Sequence, residues 1–421
     1  MDHFTIRDGV MHAEDVSLEL LANEVGTPVY VYSTATIERH YNVFAAAVSG
    51  LTDGNPLVAF AVKANPNLSV LATLARLGAG ADVVSGGELA RALAAGVPPE
   101  RIVFSGVGKQ LPELRAGVEA GILQFNIESE AEILMLGAVA ETLGKTVEVA
   151  IRINPAVDPR THGKISTGGA DAKFGIPWDR VPQAFALAAS QSHLRPVGLA
   201  AHIGSQLTDL GPVEDTIRKL GALATDLEAA GHAIRRIDCG GGLGVPYRAD
   251  QPAPPSPAHY AAMVARATAG WRWRLMFEPG RMIVGNAGVL VSTVILTKEG
   301  ASRHFVVVDA AMNDLLRPSL YNAWHDIRAL RPREDRCTAT VVGPICETGD
   351  TFAEDRDIET VGAGERIAFM TAGAYGATMA STYNSRPLVP EVMVSGGKWA
   401  IVSQRNQPEA MLALDARAPW L

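Results

Sequence analysis

Lys63 closes the apolar run Leu57-Val58-Ala59-Phe60-Ala61-Val62 and stands just before Ala64-Asn65-Pro66-Asn67. A lysine placed where a buried strand gives way to a turn can lose part of its hydration. That lowers its pKa and frees an amine to attack a carbonyl, as a Schiff-base lysine must. A strand-end lysine that merely reaches for water is the plainer reading, and Lys63 alone does not choose between them. Three further apolar runs end in polar words: Ala201-His202-Ile203-Gly204-Ser205-Gln206, Asp238-Cys239-Gly240-Gly241-Gly242-Leu243-Gly244, and Phe277-Glu278-Pro279-Gly280-Arg281.

Three consecutive glycines after a strand leave backbone N–H groups able to approach an anion closely, as a phosphate-binding turn requires. Taken singly, the glycines could serve a tight turn, His202 could be a satisfied core histidine, and Glu278 could pair with Arg281. Taken together, the four strand ends describe pyridoxal phosphate (PLP) chemistry. Lys63 would hold the aldehyde, and Gly240, Gly241 and Gly242 the phosphate. Glu278 would pair with the pyridine nitrogen and keep it protonated, and His202 would lie flat on the ring. A carboxylate at the ring nitrogen favours deep carbanion stabilisation, hence decarboxylation.

The elements that must position these groups recur along the chain. Apolar, β-rich runs fall at Leu57–Val62, Ala81–Val84, Ile102–Phe104, Leu123–Phe125, Val147–Ile153, Val197–His202, Ile234–Asp238 and Leu275–Phe277. Between them lie helical patterns such as Asn67–Leu77, with Leu68, Leu71, Leu74 and Leu77 in phase, then Glu88–Ala95 and Glu130–Leu143. Gly78, Gly96 and Gly144 stand where those helices should stop. Eight strand–helix units predict a (β/α)8 barrel, whose active site collects at the C-terminal strand ends; an open doubly wound sheet shows the same alternation.

Beyond about residue 282 the helices fade. Strand-like runs at Val289–Thr297, His304–Asp309, Thr338–Val342, Arg366–Met370, Glu391–Val394 and Trp399–Val402 predict an all-β domain. The N-terminal segment, residues 1–34, reads as a hairpin at Asp8-Gly9, a short helix capped by Ser17, and a strand over Thr27–Tyr32. It is expected to complete the β domain, 283–421, with the barrel, 35–282, inserted within it.

Composition excludes several classes. Of the 421 residues, 48% are hydrophobic and 19% charged, the balance of an ordinary globular protein. A formal net charge of −8 argues against a nucleic-acid surface or a polybasic membrane patch. No apolar run approaches the roughly 18 residues of a membrane span. Met-Asp-His-Phe-Thr has neither the basic nor the apolar part of a signal peptide, so a cytoplasmic enzyme is expected. Cys239, Cys337 and Cys346 are odd in number and far apart, and suggest no disulfide framework.

The chain resembles the diaminopimelate decarboxylases, in the alanine-racemase/ornithine-decarboxylase fold group of PLP enzymes. The resemblance rests on words spread over nearly its whole length. They are Ala61-Val62-Lys63-Ala64-Asn65, Thr161-His162 with Ile165-Ser166-Thr167-Gly168, Lys173-Phe174-Gly175, His202-Ile203-Gly204-Ser205, the triple glycine and Glu278-Pro279-Gly280-Arg281. Asp314-Leu315-Leu316-Arg317-Pro318 ahead of Tyr321, Gly343-Pro344-Ile345-Cys346-Glu347-Thr348-Gly349-Asp350, and Gly373-Ala374-Tyr375 followed by Tyr383-Asn384 continue them.

The resemblance implies roles position by position. Cys346 matches the proton donor, although a small buried apolar residue is what a lone cysteine usually is. Tyr375, Ser205, Gly280 and Arg281 match cofactor-binding positions. Arg281, Arg317, Tyr321 and Tyr375 match positions around the substrate, with the distal carboxylate at Arg281, Arg317 and Tyr321, and Glu347 matches the one that meets the distal amine. A cation fork and an anion suit a substrate with a second amino-acid centre. No metal is expected. The implied reaction is decarboxylation of meso-2,6-diaminopimelate to L-lysine, the last step of lysine biosynthesis, by a homodimer that shares its active sites. Rival readings are a relative acting on D-ornithine, D-lysine, carboxynorspermidine or an antibiotic precursor, and an inactive regulatory paralogue. Cys239 departs from the pattern, where a larger apolar residue is expected; it reads as packing, although a thiol near the cofactor phosphate could also confer sensitivity to oxidation.

Overall fold

The computed structural model describes residues 2–52, 55–157, 173–248 and 250–421. It has two compact units. One comprises Glu38–Pro246 and Pro252–Ile283; the other comprises Met1–Ile37, Tyr247–Gln251 and Val284–Leu421.

The first unit is a closed parallel barrel. Its strands are β1 (Leu57–Ala61), β2 (Gly80–Val83), β3 (Ile102–Phe104), β4 (Gln124–Ile127), β5 (Val147–Asn154), β6 (Leu194–Ala200), β7 (Arg236–Asp238) and β8 (Arg274–Phe277). Each pairs with its sequence neighbour, and Phe277 opposite Val58 joins β8 to β1, so the ring has no edge. Closure buries both faces of short strands, which is why they read as unbroken apolar runs. Several intervening helices start on side-chain caps, among them Asn67 for Leu68–Arg76, Ser85 for Gly86–Ala94 and Ser129 for Glu130–Thr142. Gly78, Gly96 and Gly144 follow them with positive φ.

The sequence places His202 inside the sixth strand, whereas the ladder stops at Ala200. His202 therefore stands past the strand end, where side chains can converge on one site.

The second unit is all-β. Its main sheet runs Thr351–Glu359, Arg336–Val342, His304–Val308, Gly288–Glu299, Val29–Ser33, Glu391–Ser395, Lys398–Ser403. Val29–Ser33 is central, antiparallel to Gly288–Glu299 and parallel to Glu391–Ser395, so the N-terminal segment completes this sheet. Val29, Val31, Val289, Val291, Val392 and Val394 share one buried cluster with Leu18 and Leu21 of the helix Leu18–Val25. The hairpin at Asp8-Gly9 forms with both residues at positive φ. Among the described residues of this unit, three strands escape the sequence reading: the two-residue Val16–Ser17, the three-residue Ile327–Ala329, and Thr351–Glu359, whose apolar residues are interrupted by Glu354, Asp355 and Asp357. Among the described residues, no helix is long and apolar enough to cross a membrane.

Candidate active site

At the C-terminal ends of the barrel strands, Lys63, His202, Ser205, the triple glycine, Glu278, Gly280 and Arg281 stand on the segments that follow β1, β6, β7 and β8. A single 3-10 turn, Val62–Ala64, takes Lys63 off the β1 ladder. Its Nζ lies 2.9 Å from Asp82 Oδ2, on the neighbouring β2. The lysine side chain is 36% exposed and Asp82 fully buried. The amine is thus half of an ion pair rather than a group stripped of polar company, which corrects the desolvation argument for Lys63. The other oxygen of Asp82, Oδ1, is buried with no hydrogen-bond partner in the chain.

Glu278 is buried after β8, with Asn126 Nδ2 at 3.4 Å and Ser105 Oγ at 3.5 Å from Oε1. It shares a hydrogen bond with Asp238 of β7, and Asn126 also reaches Asp238 Oδ2 at 3.3 Å. Burial, followed by the charges of Asp238 and Asp82, pushes Glu278 well above the carboxylate range. Glu278 is the partner that carries the shared proton.

His202 is half-buried. Gly241 N–H donates to its Nδ1 at 3.2 Å, which leaves the ring proton on Nε2. Desolvation, then the charges of Lys63 and Arg152, hold its pKa well below the usual value, so the imidazole is neutral.

The triple glycine does less anion work than its sequence suggests. Gly240 N–H donates to Asp238 Oδ1 at 2.9 Å and Gly241 N–H is spent on His202, so two of the three donors are already used. What the glycines supply is close approach. A Cβ on Gly240 would stand 2.4 Å from the Ala201 carbonyl oxygen, on Gly241 2.0 Å from that of Glu278, and on Gly242 2.2 Å from that of Gly204. The turn is wedged between the ends of β6 and β8. Gly280 makes the matching approach to β1, where a Cβ would stand 3.0 Å from those of Ala61 and Ala64. Arg281, buried, donates through Nη2 to Ser205 Oγ at 3.1 Å. Cys239 is buried, and burial with Asp238 and Glu278 nearby pushes its thiol far up, which favours the packing reading of this residue over oxidation sensitivity.

In the word Lys173-Phe174-Gly175, Gly175 N–H donates to Glu128 Oε2 at 3.1 Å, and Glu128 Oε1 pairs with Arg152 at 2.7 Å. The words at 161–162 and 165–168 lie outside the described residues.

The remaining positions fall in the β unit. Arg317 opens the short helix Arg317–Tyr321, which ends with Tyr321. Ser319 Oγ donates to the Gly349 carbonyl at 2.7 Å and so ties that helix to the loop of Cys346 and Glu347. Asp350 anchors the loop, accepting Met312 N–H at 2.6 Å and Ile345 N–H at 2.7 Å. Cys346 N–H donates to Asn384 Oδ1 at 3.2 Å, and Tyr383 O–H to Glu347 Oε2 at 2.8 Å, which gives the Tyr383-Asn384 word a local task. Cys346 is exposed in the single chain, unlike the buried apolar residue a lone cysteine suggests. Tyr375 sits at φ +56, a conformation an aromatic residue adopts only where its surroundings impose it.

Residues 34–285 match the family model described as "Pyridoxal-dependent decarboxylase, pyridoxal binding domain". The diaminopimelate decarboxylase of Zymomonas mobilis is 53% identical over 418 residues, 99% of each chain. The chain belongs to the diaminopimelate decarboxylase family. That of Vibrio cholerae is 49% identical over the full length of both chains. The family enzyme of M. jannaschii, solved in complex with L-lysine, superposes with TM-score 0.94 at 36% identity, covering 100% of this chain and 99% of that one.

The family cofactor, PLP, suits the residues present. A lysine amine, a buried acid that carries a proton, a neutral imidazole and an orphaned carboxylate oxygen stand on neighbouring strand ends, beside a turn that a Cβ would fill. Asp82, Ser105, Asn126 and Asp238 escape the sequence reading. The available signal was a polar residue inside an apolar strand word, as in Gly-Ala-Asp-Val and Arg-Ile-Asp.

Proposed function

We propose that this chain decarboxylates the D-centre of meso-2,6-diaminopimelate and releases L-lysine and CO2. One observation within the chain supports this substrate above others. Arg317 is a buried, oriented guanidinium, tied through its helix to the loop of Cys346 and Glu347. A decarboxylase of plain diamino acids has no distal carboxylate for such a cation to hold.

PLP supplies the electron sink for the pair released from the C–CO2 bond. Lys63 would hold the cofactor aldehyde, and Asp82, its ion-pair partner, would hold the amine whenever it is free. Glu278 would offer its proton to the ring nitrogen, leaving a carboxylate beside a cation, and neutral His202 would cover the ring face. Gly242, Gly280, Arg281, Ser205 and Tyr375 would receive the phosphate, with Gly240 and Gly241 shaping the turn. Arg281, Arg317 and Tyr321 would take the distal carboxylate and Glu347 the distal ammonium. Cys346 would deliver a proton to the α-carbon. The working form is a homodimer in the cytoplasm, each copy lending Cys346 and Glu347 to the other.

The test is CO2 release from purified protein given meso-diaminopimelate, ornithine, arginine or D-lysine. Release from the first alone supports the reading. Release from ornithine at a comparable kcat/KM would overturn the substrate assignment.

A further inference from the structure

Arg317 stands in a cage that neither its helix nor its sequence word explains. Its Nη1 donates to His325 Nε2 at 2.8 Å. His325, 1% exposed, places its other ring nitrogen, Nδ1, 2.8 Å from the Met370 carbonyl. A carbonyl only accepts, so Nδ1 carries the proton and Nε2 offers a lone pair, which a guanidinium can always fill. The face of Tyr247 lies 4.7 Å from Arg317 Cζ, and Tyr247 meets His325 edge-on at 5.5 Å. His325, with its proton on Nδ1, and Tyr247 are uncharged, so these two orient the guanidinium without themselves neutralising it.

The cage is itself braced. Arg248, next to Tyr247, stacks on Trp324 at 4.0 Å, and Arg356 lies over the same ring at 3.4 Å while donating to the His325 carbonyl. His325 and Tyr247 thus settle the Arg317 guanidinium, and the braces hold the segments Tyr247-Arg248 and Trp324-His325 together.

We propose that His325 and Tyr247 are positioning residues for substrate specificity: they pre-set Arg317 to meet the distal carboxylate, with a neutral acceptor on one edge and a ring on one face. This rests on the substrate reading above. A fork held in register binds a carboxylate without losing side-chain freedom, and an unbraced arginine forfeits that gain. Hydrogen bonds to charged groups carry enough free energy for about a 10- to 100-fold effect on affinity.

The experiment compares wild type with His325→Phe, His325→Gln, Tyr247→Leu and Arg317→Lys, all as holoenzymes. The readouts are kcat and KM for meso-diaminopimelate, inhibition by L-lysine, and inhibition by pentane-1,5-diamine, which lacks the carboxylate. His325→Phe and Tyr247→Leu should raise KM and the L-lysine inhibition constant by about 10- to 100-fold. Their kcat should stay within about threefold, with diamine inhibition unchanged. His325→Gln, whose amide can accept from Arg317 and donate to Met370, should recover most of the loss. Arg317→Lys separates the two readings. If it weakens L-lysine binding and neither His325→Phe nor Tyr247→Leu does, the cage proposal falls and the substrate reading stands. If wild type does not act on meso-diaminopimelate, or Arg317→Lys binds L-lysine as before, the substrate reading fails and takes the cage with it. Equal loss of diamine and L-lysine binding in His325→Phe would mean general damage and would also overturn the proposal. Should that variant not fold, Tyr247→Leu, at the far side of the guanidinium, decides by the same criteria.

Discussion

Asp238 and Glu278, on the ends of adjacent barrel strands, are joined by one hydrogen bond and hold one proton between them. Two buried carboxyls this close cannot both ionise, so the barrel stores an acid where a weakly basic ring nitrogen is expected. Glu278→Gln keeps the shape and removes the transferable proton. The variant should retain cofactor absorbance while kcat falls by about 10²-fold or more, the usual scale for loss of a positioned acid. A kcat within threefold of wild type would remove Glu278 from its assigned role.

Lys63 and Cys346 should fail differently. Lys63→Ala takes away the amine beside Asp82, and both the visible absorbance of lysine-bound cofactor and turnover should vanish. Cys346→Ala leaves the barrel untouched; its spectrum should match wild type while product formation slows by roughly 10²–10⁴-fold. Spectra paired with CO2 release separate the two outcomes.

Glu88 makes the unliganded protein sensitive to pH. Burial, reinforced by the charge of Asp82 and offset in part by the hydrogen bond from Val84 N–H and by Lys63, raises it from 4.5 to about 7. Its folded pKa exceeds the unfolded one, so between these values the unfolded chain sheds the proton first. Its contribution to stability is therefore greatest below about pH 4.5 and is lost as pH rises to about 7. Asp314, raised to about 6 by burial, acts in the same direction. Urea unfolding at pH 5 and 7.5 should show the difference shrink in Glu88→Gln, by an amount on the order of 2–3 kcal/mol. An unchanged difference would contradict the assignment.

Gly241→Ala should be among the costliest small substitutions in the barrel, because the added carbon would stand 2.0 Å from the Glu278 carbonyl oxygen. Separating the ends of β7 and β8 should weaken cofactor binding by tenfold or more and lower the melting temperature. Gly87→Ala is the control: it lies in the helix Gly86–Ala94, and its Cβ would meet only Ser85 Oγ, at 3.8 Å. That change should stabilise by about 0.5–1 kcal/mol. Thermal melts and cofactor titration of the pair test both statements.

The barrel was legible because burial on both faces leaves each strand as an apolar run, and because Gly78, Gly96 and Gly144 mark where helices stop. Lys63, His202 and Glu278 were legible as polar residues at the ends of those runs. Asp82 and Asp238 were not, since an acid inside a strand acquires meaning only when closure brings its neighbours alongside. Thr351–Glu359 was hidden because its exposed positions carry acids, and Tyr247 because the stretch between the triple glycine and the Pro-rich segment Gln251–Pro257 gives no sign of which unit it joins. The glycines misled in a physical way: the word predicts permissive backbone, but not whether an anion or a neighbouring carbonyl uses the space.

Val29–Ser33 has a consequence for how the protein is made. This strand emerges from the ribosome early, yet its partners Gly288–Glu299 and Glu391–Ser395 are synthesised at the far end of the chain. At about 5–20 residues per second, Val29 and Val31 wait tens of seconds for the neighbours that will cover them. The whole barrel leaves the tunnel in that interval. Translation thus orders assembly: the barrel folds first, and the main β sheet closes last around the one of its strands that was made first.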